Sequence, residues 1–116
     1  MARYEELTID KGSDVAFELH LNNDDGSIKD LSGHTGSAKM KKSFNSDSAS
    51  TYSFTAVIAD PATQGILTLT MSNALTDTIK AGRYVFDTEI SFNDSSGNTV
   101  VERILEGRIH VTPSVT

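Results

Sequence analysis

The side chains of this chain that could do acid–base or metal chemistry are few and scattered. It has three histidines, His20, His34 and His110. None stands two or four positions from another, the spacings that set two imidazoles on one face of a strand or a helix. His20 has the outward parity of a strand, His34 lies between glycines, and His110 is near the C-terminus, which reads as three surface residues. Two acidic turns, Asp24-Asp25-Gly26 and Asp94-Ser95-Ser96-Gly97, have a faint look of calcium loops. An EF-hand loop counted from Asn22 would need its closing bidentate glutamate where Gly33 stands, so hairpin turns explain both segments better. A calcium site shared between loops or subunits stays open. There is no Gly-x-Ser-x-Gly elbow and no phosphate-cradling glycine loop. The paired carboxylates of glycoside cleavage need a cleft deeper than a chain of this size has material to build. The expectation is no enzyme, no catalytic residue, no metal and no cofactor.

Two features point instead to a partner. Lys39-Met40-Lys41-Lys42 is the one basic cluster in a chain of formal charge -6. It either docks an acidic surface of a partner subunit or is a solvated strand face whose charge guards an edge against unwanted pairing. Arg103 shares the parity of Val101 and Leu105, two positions assigned to the core. It therefore either neutralises a buried acid or is covered by another chain, since buried arginine is uncommon without a partner. Lys39, Lys41, Lys42 and Arg103 form the candidate partner interface.

The frame that must carry these residues is read from periodicity. With 116 residues the chain predicts one domain, 1–116, able to bury roughly two-thirds of its unfolded surface. There is no cysteine, so neither disulfides nor thiolate chemistry contribute. The acidic balance argues against nucleic acid as a partner. No apolar run is long enough for a membrane-spanning helix, and the polar start, Met1 to Glu6, lacks the apolar stretch of a signal peptide.

Alternation recurs along nearly the whole chain. Leu7 and Ile9 mark a first strand, and Val15, Phe17, Leu19 and Leu21 a second. Ala38 and Met40 mark a third, ending near Lys42, and residues 43–51 read as a serine-rich loop. Tyr52, Phe54, Ala56 and Ile58 form the next strand, and Leu67, Leu69 and Met71 the one after. Ser72 is placed to cap a short helix running to Ile79, whose Leu75 and Ile79 dock on one face. Gly82 suits the left-handed position after such a helix. Two long runs, 84–92 and 101–111, flank a turn over 93–98 and predict a hairpin. Pairing Phe92 with Thr99 sets Tyr84 against Gly107 and Glu89 against Glu102. That last pair is unfavourable, and a two-residue shift or a bulge at Gly107 would relieve it.

Seven or eight short strands with one short helical turn predict an all-β fold, an immunoglobulin-like antiparallel β-sandwich. The helical turn, Gly82 and Tyr84 together resemble the E–F corner of immunoglobulin domains, where a tyrosine hydroxyl ties back to upstream backbone. Phe86 stands where antibody domains carry a cysteine, and the chain has no tryptophan. The alternative is that Tyr84 is an ordinary core aromatic.

Residues 81–89, Ala-Gly-Arg-Tyr-Val-Phe-Asp-Thr-Glu, and 101–113, Val-Glu-Arg-Ile-Leu-Glu-Gly-Arg-Ile-His-Val-Thr-Pro, resemble small β-rich virion proteins of tailed bacteriophages, frequent among phages of marine bacteria. Segments 9–14 and 38–43 are similar too. The resemblance implies an immunoglobulin-like fold and a place in a virion assembled in the host cytoplasm. It also implies other virion proteins as partners in a symmetric multi-copy assembly. It brings no catalytic or ligand residue, because the shared motifs are turn glycines, core aromatics and a hairpin. The expected function is a non-enzymatic structural subunit that decorates the capsid or is mounted on the neck, tail or baseplate. The alternative is a surface glycan- or receptor-binding module using loop aromatics such as Tyr4, Phe44 and Tyr52.

Overall fold

A computed structural model describes residues 3–43 and 51–113. The expected loop over 43–51, apart from its ends, and Phe44 within it lie outside the described residues. Seven strands are present: β1 (Arg3–Asp10), β2 (Val15–His20), β3 (Thr35–Lys41), β4 (Thr51–Ile58), β5 (Ile66–Met71), β6 (Gly82–Asn93) and β7 (Thr99–Thr112). A 3-10 turn (Ala62–Gln64) and one helix, α1 (Asn73–Thr76), complete the set.

The strands follow one continuous order, β1-β7-β6-β3-β4-β5-β2. The ladder doubles back at β4. Residues 51–54 pair with β3, whereas residues 55–58 pair with β5. One strand is thereby shared by a larger layer, β1-β7-β6-β3-β4, and a smaller one, β4-β5-β2. The period-2 pattern explains the stacking. Leu19, Leu67, Leu69 and Met71 from the smaller layer meet Met40, Phe54, Phe86, Ile90 and Ile109 from the larger, all buried. Phe17 and Phe54 meet edge to face at 6.3 Å across this core. Each such side chain contributes about 1.5–3 kcal/mol relative to exposure. On the opposite side the layers stay open, with β1 and β2 as their free margins.

Most of the expected elements are present, with four physical differences. First, β1 runs parallel to β7, Arg3 opposite Leu105 through Asp10 opposite Thr112, in an otherwise antiparallel sandwich. Gly107 permits the close approach. Its φ is 156°, and a Cβ there would stand 1.8 Å from the Glu5 carbonyl oxygen. Second, α1 spans four residues and stops short of Ile79. Ser72 caps it, its hydroxyl accepting from the Leu75 N–H at 3.4 Å. Asp14 and the Ser13 carbonyl bind the Asn73 N–H and the Thr76 hydroxyl, both at 2.7 Å, which fastens this turn to the β1–β2 connection. Ile79 is fully buried all the same.

Third, Gly82 opens β6 with φ 144° rather than closing the helix, and a Cβ there would stand 2.7 Å from the Lys42 ammonium. Fourth, the hairpin is bulged. Thr88 pairs with Leu105 but Glu89 pairs with Arg103, so Ile104 is the extra residue. The bulge sits three residues before Gly107, and on the turn side of it the register, Phe92 opposite Val100, sets Glu89 against Arg103 instead of Glu102. Phe86, not Tyr84, is the aromatic opposite Gly107.

The tyrosine corner is present. The Tyr84 hydroxyl donates to the Lys80 carbonyl at 2.7 Å, and the ring is 3% exposed. Burial, then the neighbouring Tyr52, pushes the phenol pKa above its ordinary value. Among the described residues one buried hydroxyl, that of Thr88, has no hydrogen-bond partner.

Candidate docking face

On β3 the residues on either side of the buried Met40 point away from the core, so Lys39 and Lys41 stand on the outer face of the larger layer. The strands beside β3 decide what joins them. Lys39 lies opposite Asp87 and Lys41 opposite Val85 on β6. Val85 lies opposite Arg108 on β7, and Arg108 opposite Glu6 on β1. The next row outward sets Arg83 opposite His110, and His110 opposite Thr8. Two shallow grooves cross this face. One of about 370 Å³ runs between Ser37, Lys39 and Lys41 on one side and Val85, Asp87 and Glu89 on the other. The second, of about 390 Å³, is lined by Glu6, Thr8, Arg83, Arg108 and His110.

Arg103 belongs to the same face, and the reading in which it neutralises a buried acid is overturned. Its side chain is 52% exposed and reaches Asp87 at 3.6 Å and Glu106 at 3.7 Å. The bulge at Ile104 reverses the parity, so Arg103 and the 58% exposed Val101 leave the core side to which a straight strand would assign them. Exposed pairs of this kind contribute little stability, about 0–1 kcal/mol each. Lys42 does not join the face. Its ammonium stands 4.8 Å above the Tyr84 ring, a cation–π contact at the end of the sandwich.

Three of the four candidate interface residues therefore share a surface, and Arg83 and Arg108 join them. Five of the chain's ten lysines and arginines converge there. Among the described residues Lys39, Lys41, Arg83 and Arg108 form no ion pair, which leaves them available to a partner. Reading β3 alone could not find Arg83 and Arg108, because β3 and β6 are far apart in sequence.

The other candidate residues stay apart. His20 contacts Glu18 at 2.6 Å on the smaller layer, whereas His34 stacks on Phe92 at 4.8 Å with Nδ1 3.0 Å from the Ser32 carbonyl. Among the described residues no three histidine, aspartate or glutamate side chains are grouped to hold a metal ion. The acidic turns use their carboxylates internally. Asp25 accepts from the Ser27 hydroxyl and N–H at 2.6 and 2.9 Å, and the hydroxyl bond, with the N–H second, lowers its pKa. Asp94 accepts from the N–H groups of Ser96 and Asn98, both at 2.9 Å, as a hairpin turn requires. Tyr4 is exposed on β1, while Tyr52 packs edge-on against Tyr84 at 6.1 Å. Among the described residues no helix is long and apolar enough to cross a membrane.

No protein-family model matches the chain, and no curated protein matches it in sequence. Among solved structures it is similar to murine CRIg, with TM-score 0.50 and 16% identity over 93% of this chain and 92% of that one. AggA, the major subunit of aggregative adherence fimbriae type I from Escherichia coli, also aligns, over 92% of this chain and 89% of that chain, with TM-score 0.38 and 9% identity. Strand order, tyrosine corner and the likeness to CRIg agree on an immunoglobulin-like β-sandwich.

Proposed function

We propose that this chain is a non-enzymatic structural subunit of a tailed-phage virion, an accessory protein decorating the capsid or mounted on the neck, tail or baseplate. It docks through the outer face of the larger layer onto an acidic surface of another virion protein. The observation that carries the docking is the gathering of Lys39, Lys41, Arg83, Arg103 and Arg108 on one sheet face in a chain of net charge -6. Glu6, Asp87, Glu89 and Glu106, interspersed among these cations, would repel a phosphate backbone but can pair with basic groups of a protein. The virion reading is supported by the sequence resemblance, whose residues include Tyr84 of the corner, Gly107 beneath β1 and Arg83 and Arg103 of the face.

Purified virions test it. The protein should sediment with the particles, and the K39E/K41E/R108E variant should be depleted from them at least tenfold while keeping its thermal transition. Binding of the unmodified protein to particles lacking it should weaken as salt is raised, because exposed charges are screened within about 8–10 Å at physiological ionic strength. Recovery of the protein only from the infected-cell lysate, never from particles, would sink the proposal.

A further inference from the structure

The outer margin of the larger layer is unevenly covered. β1 lies beside β7 from Leu105 to Thr112, but over residues 99–103 no described strand lies on the side of β7 away from β6. Backbone N–H and C=O groups on that side of the ladder are open to another strand. The usual guards are weak here. Val100 and Val101 are exposed by 37% and 58%, and Thr99 before them is also β-branched, so this stretch favours pairing. The charged residues beside it are engaged elsewhere, Glu102 with Lys29 at 3.5 Å and Arg103 with Asp87 and Glu106. A crevice of about 240 Å³ lined by Arg3, Lys29 and residues 102–105 adjoins the same margin.

We infer that a second copy of this chain occupies the margin, the two β7 strands pairing antiparallel across a two-fold axis at Val100. The residue chemistry selects that register. An axis at Val100 sets Val100 against Val100 of the second copy and each Thr99 against a Val101, so all three central pairs are β-branched. Glu102 then lies opposite Asn98 and Arg103 opposite Gly97, with no like charges facing. An axis at Glu102 would oppose two carboxylates. An axis at Val101 would drive each copy's 94–98 turn further toward the Arg3 end of the other's β1. A two-fold contact is closed, so pairing stops at two copies instead of growing into a fibre. Because only about five residues per copy take part, the dimer is weak, with a dissociation constant on the order of 10–1000 μM. Display of many copies on one particle would raise the effective concentration and complete the pairing.

The chain has no cysteine, so a single thiol reports the pairing. Val100→Cys should form a disulfide-linked dimer under mild oxidation at least tenfold faster than Val57→Cys, a control on the smaller layer that is 52% exposed. Sedimentation of the unmodified protein should show a monomer–dimer equilibrium up to about 1 mM, shifted at least tenfold toward monomer in Val101→Lys with an unchanged thermal transition. A protein still monomeric at about 1 mM overturns the inference. So does equal cross-linking of the two cysteine variants, or a dimer indifferent to Val101→Lys.

Discussion

The two halves of the β6–β7 hairpin share one ladder but have opposite surroundings. In the proximal half, residues 82–88 and 105–112, alternate side chains are buried, β1 covers the margin and the tyrosine corner ties the entry to Lys80. In the distal half β7 is exposed at every position from Thr99 to Arg103, although Ile90 on β6 remains buried. The single extra residue Ile104 divides them. The difference teaches that strand length alone does not measure structural importance. What counts is how many neighbours constrain each residue, and by that measure one half holds the fold while the other presents a surface.

If that contrast is sound, substitutions should rank by which half they strike. Gly107→Ala should cost most, about 4 kcal/mol or outright failure to fold, because the added Cβ collides with the β1 backbone. Its distal counterpart, Gly97→Ala, meets no neighbouring atom and should cost only about 1 kcal/mol, for its positive φ of 82°. Thermal melts of the pair would break the comparison if the two losses were equal. Ile109→Ala, fully buried, should lose about 3 kcal/mol in a urea titration.

Tyr84→Phe should lose about 1–2 kcal/mol, since the Lys80 carbonyl would be left without its donor. The same residue predicts a pH limit. A folded phenol pKa raised above the ordinary 10.0 means that its share of stability is intact below that value and lost as the pH climbs through the folded one. Ultraviolet titration should therefore show one tyrosine ionising late, and the melting temperature should fall over the same alkaline interval. Thr88→Val sharpens the contrast in the other direction. It removes a buried hydroxyl that has no partner among the described residues and should stabilise by about 1 kcal/mol. At the distal end Val101→Lys should move stability by less than about 0.5 kcal/mol.

How much of this the sequence displayed depends on whether the determinant is local. Val15 to Leu19, Leu67 to Met71 and the long runs around Phe86 and Ile109 announce their strands, because alternation needs only neighbouring residues. Ser72 and Tyr84 were legible for the same reason, each lying within four positions of the group it serves. Arg103 was misplaced because one extra residue reverses parity, and nothing in Val-Glu-Arg-Ile-Leu marks which residue is extra. The parallel pairing of β1 with β7 joins residues about a hundred positions apart, beyond the reach of any periodicity. The docking face is legible only in part for that reason. Lys39 and Lys41 are conspicuous as neighbours, whereas Arg83 and Arg108 reach them only through the order of the strands.

The strand common to both layers has a mechanical consequence. With β4 as a crease, the sandwich is a single folded ribbon rather than two plates glued together, and neither plate can slide or lift off without tearing hydrogen bonds of the other. Heating should therefore give one transition, coincident by far-ultraviolet circular dichroism and by tyrosine fluorescence, as befits a block that transmits load whole.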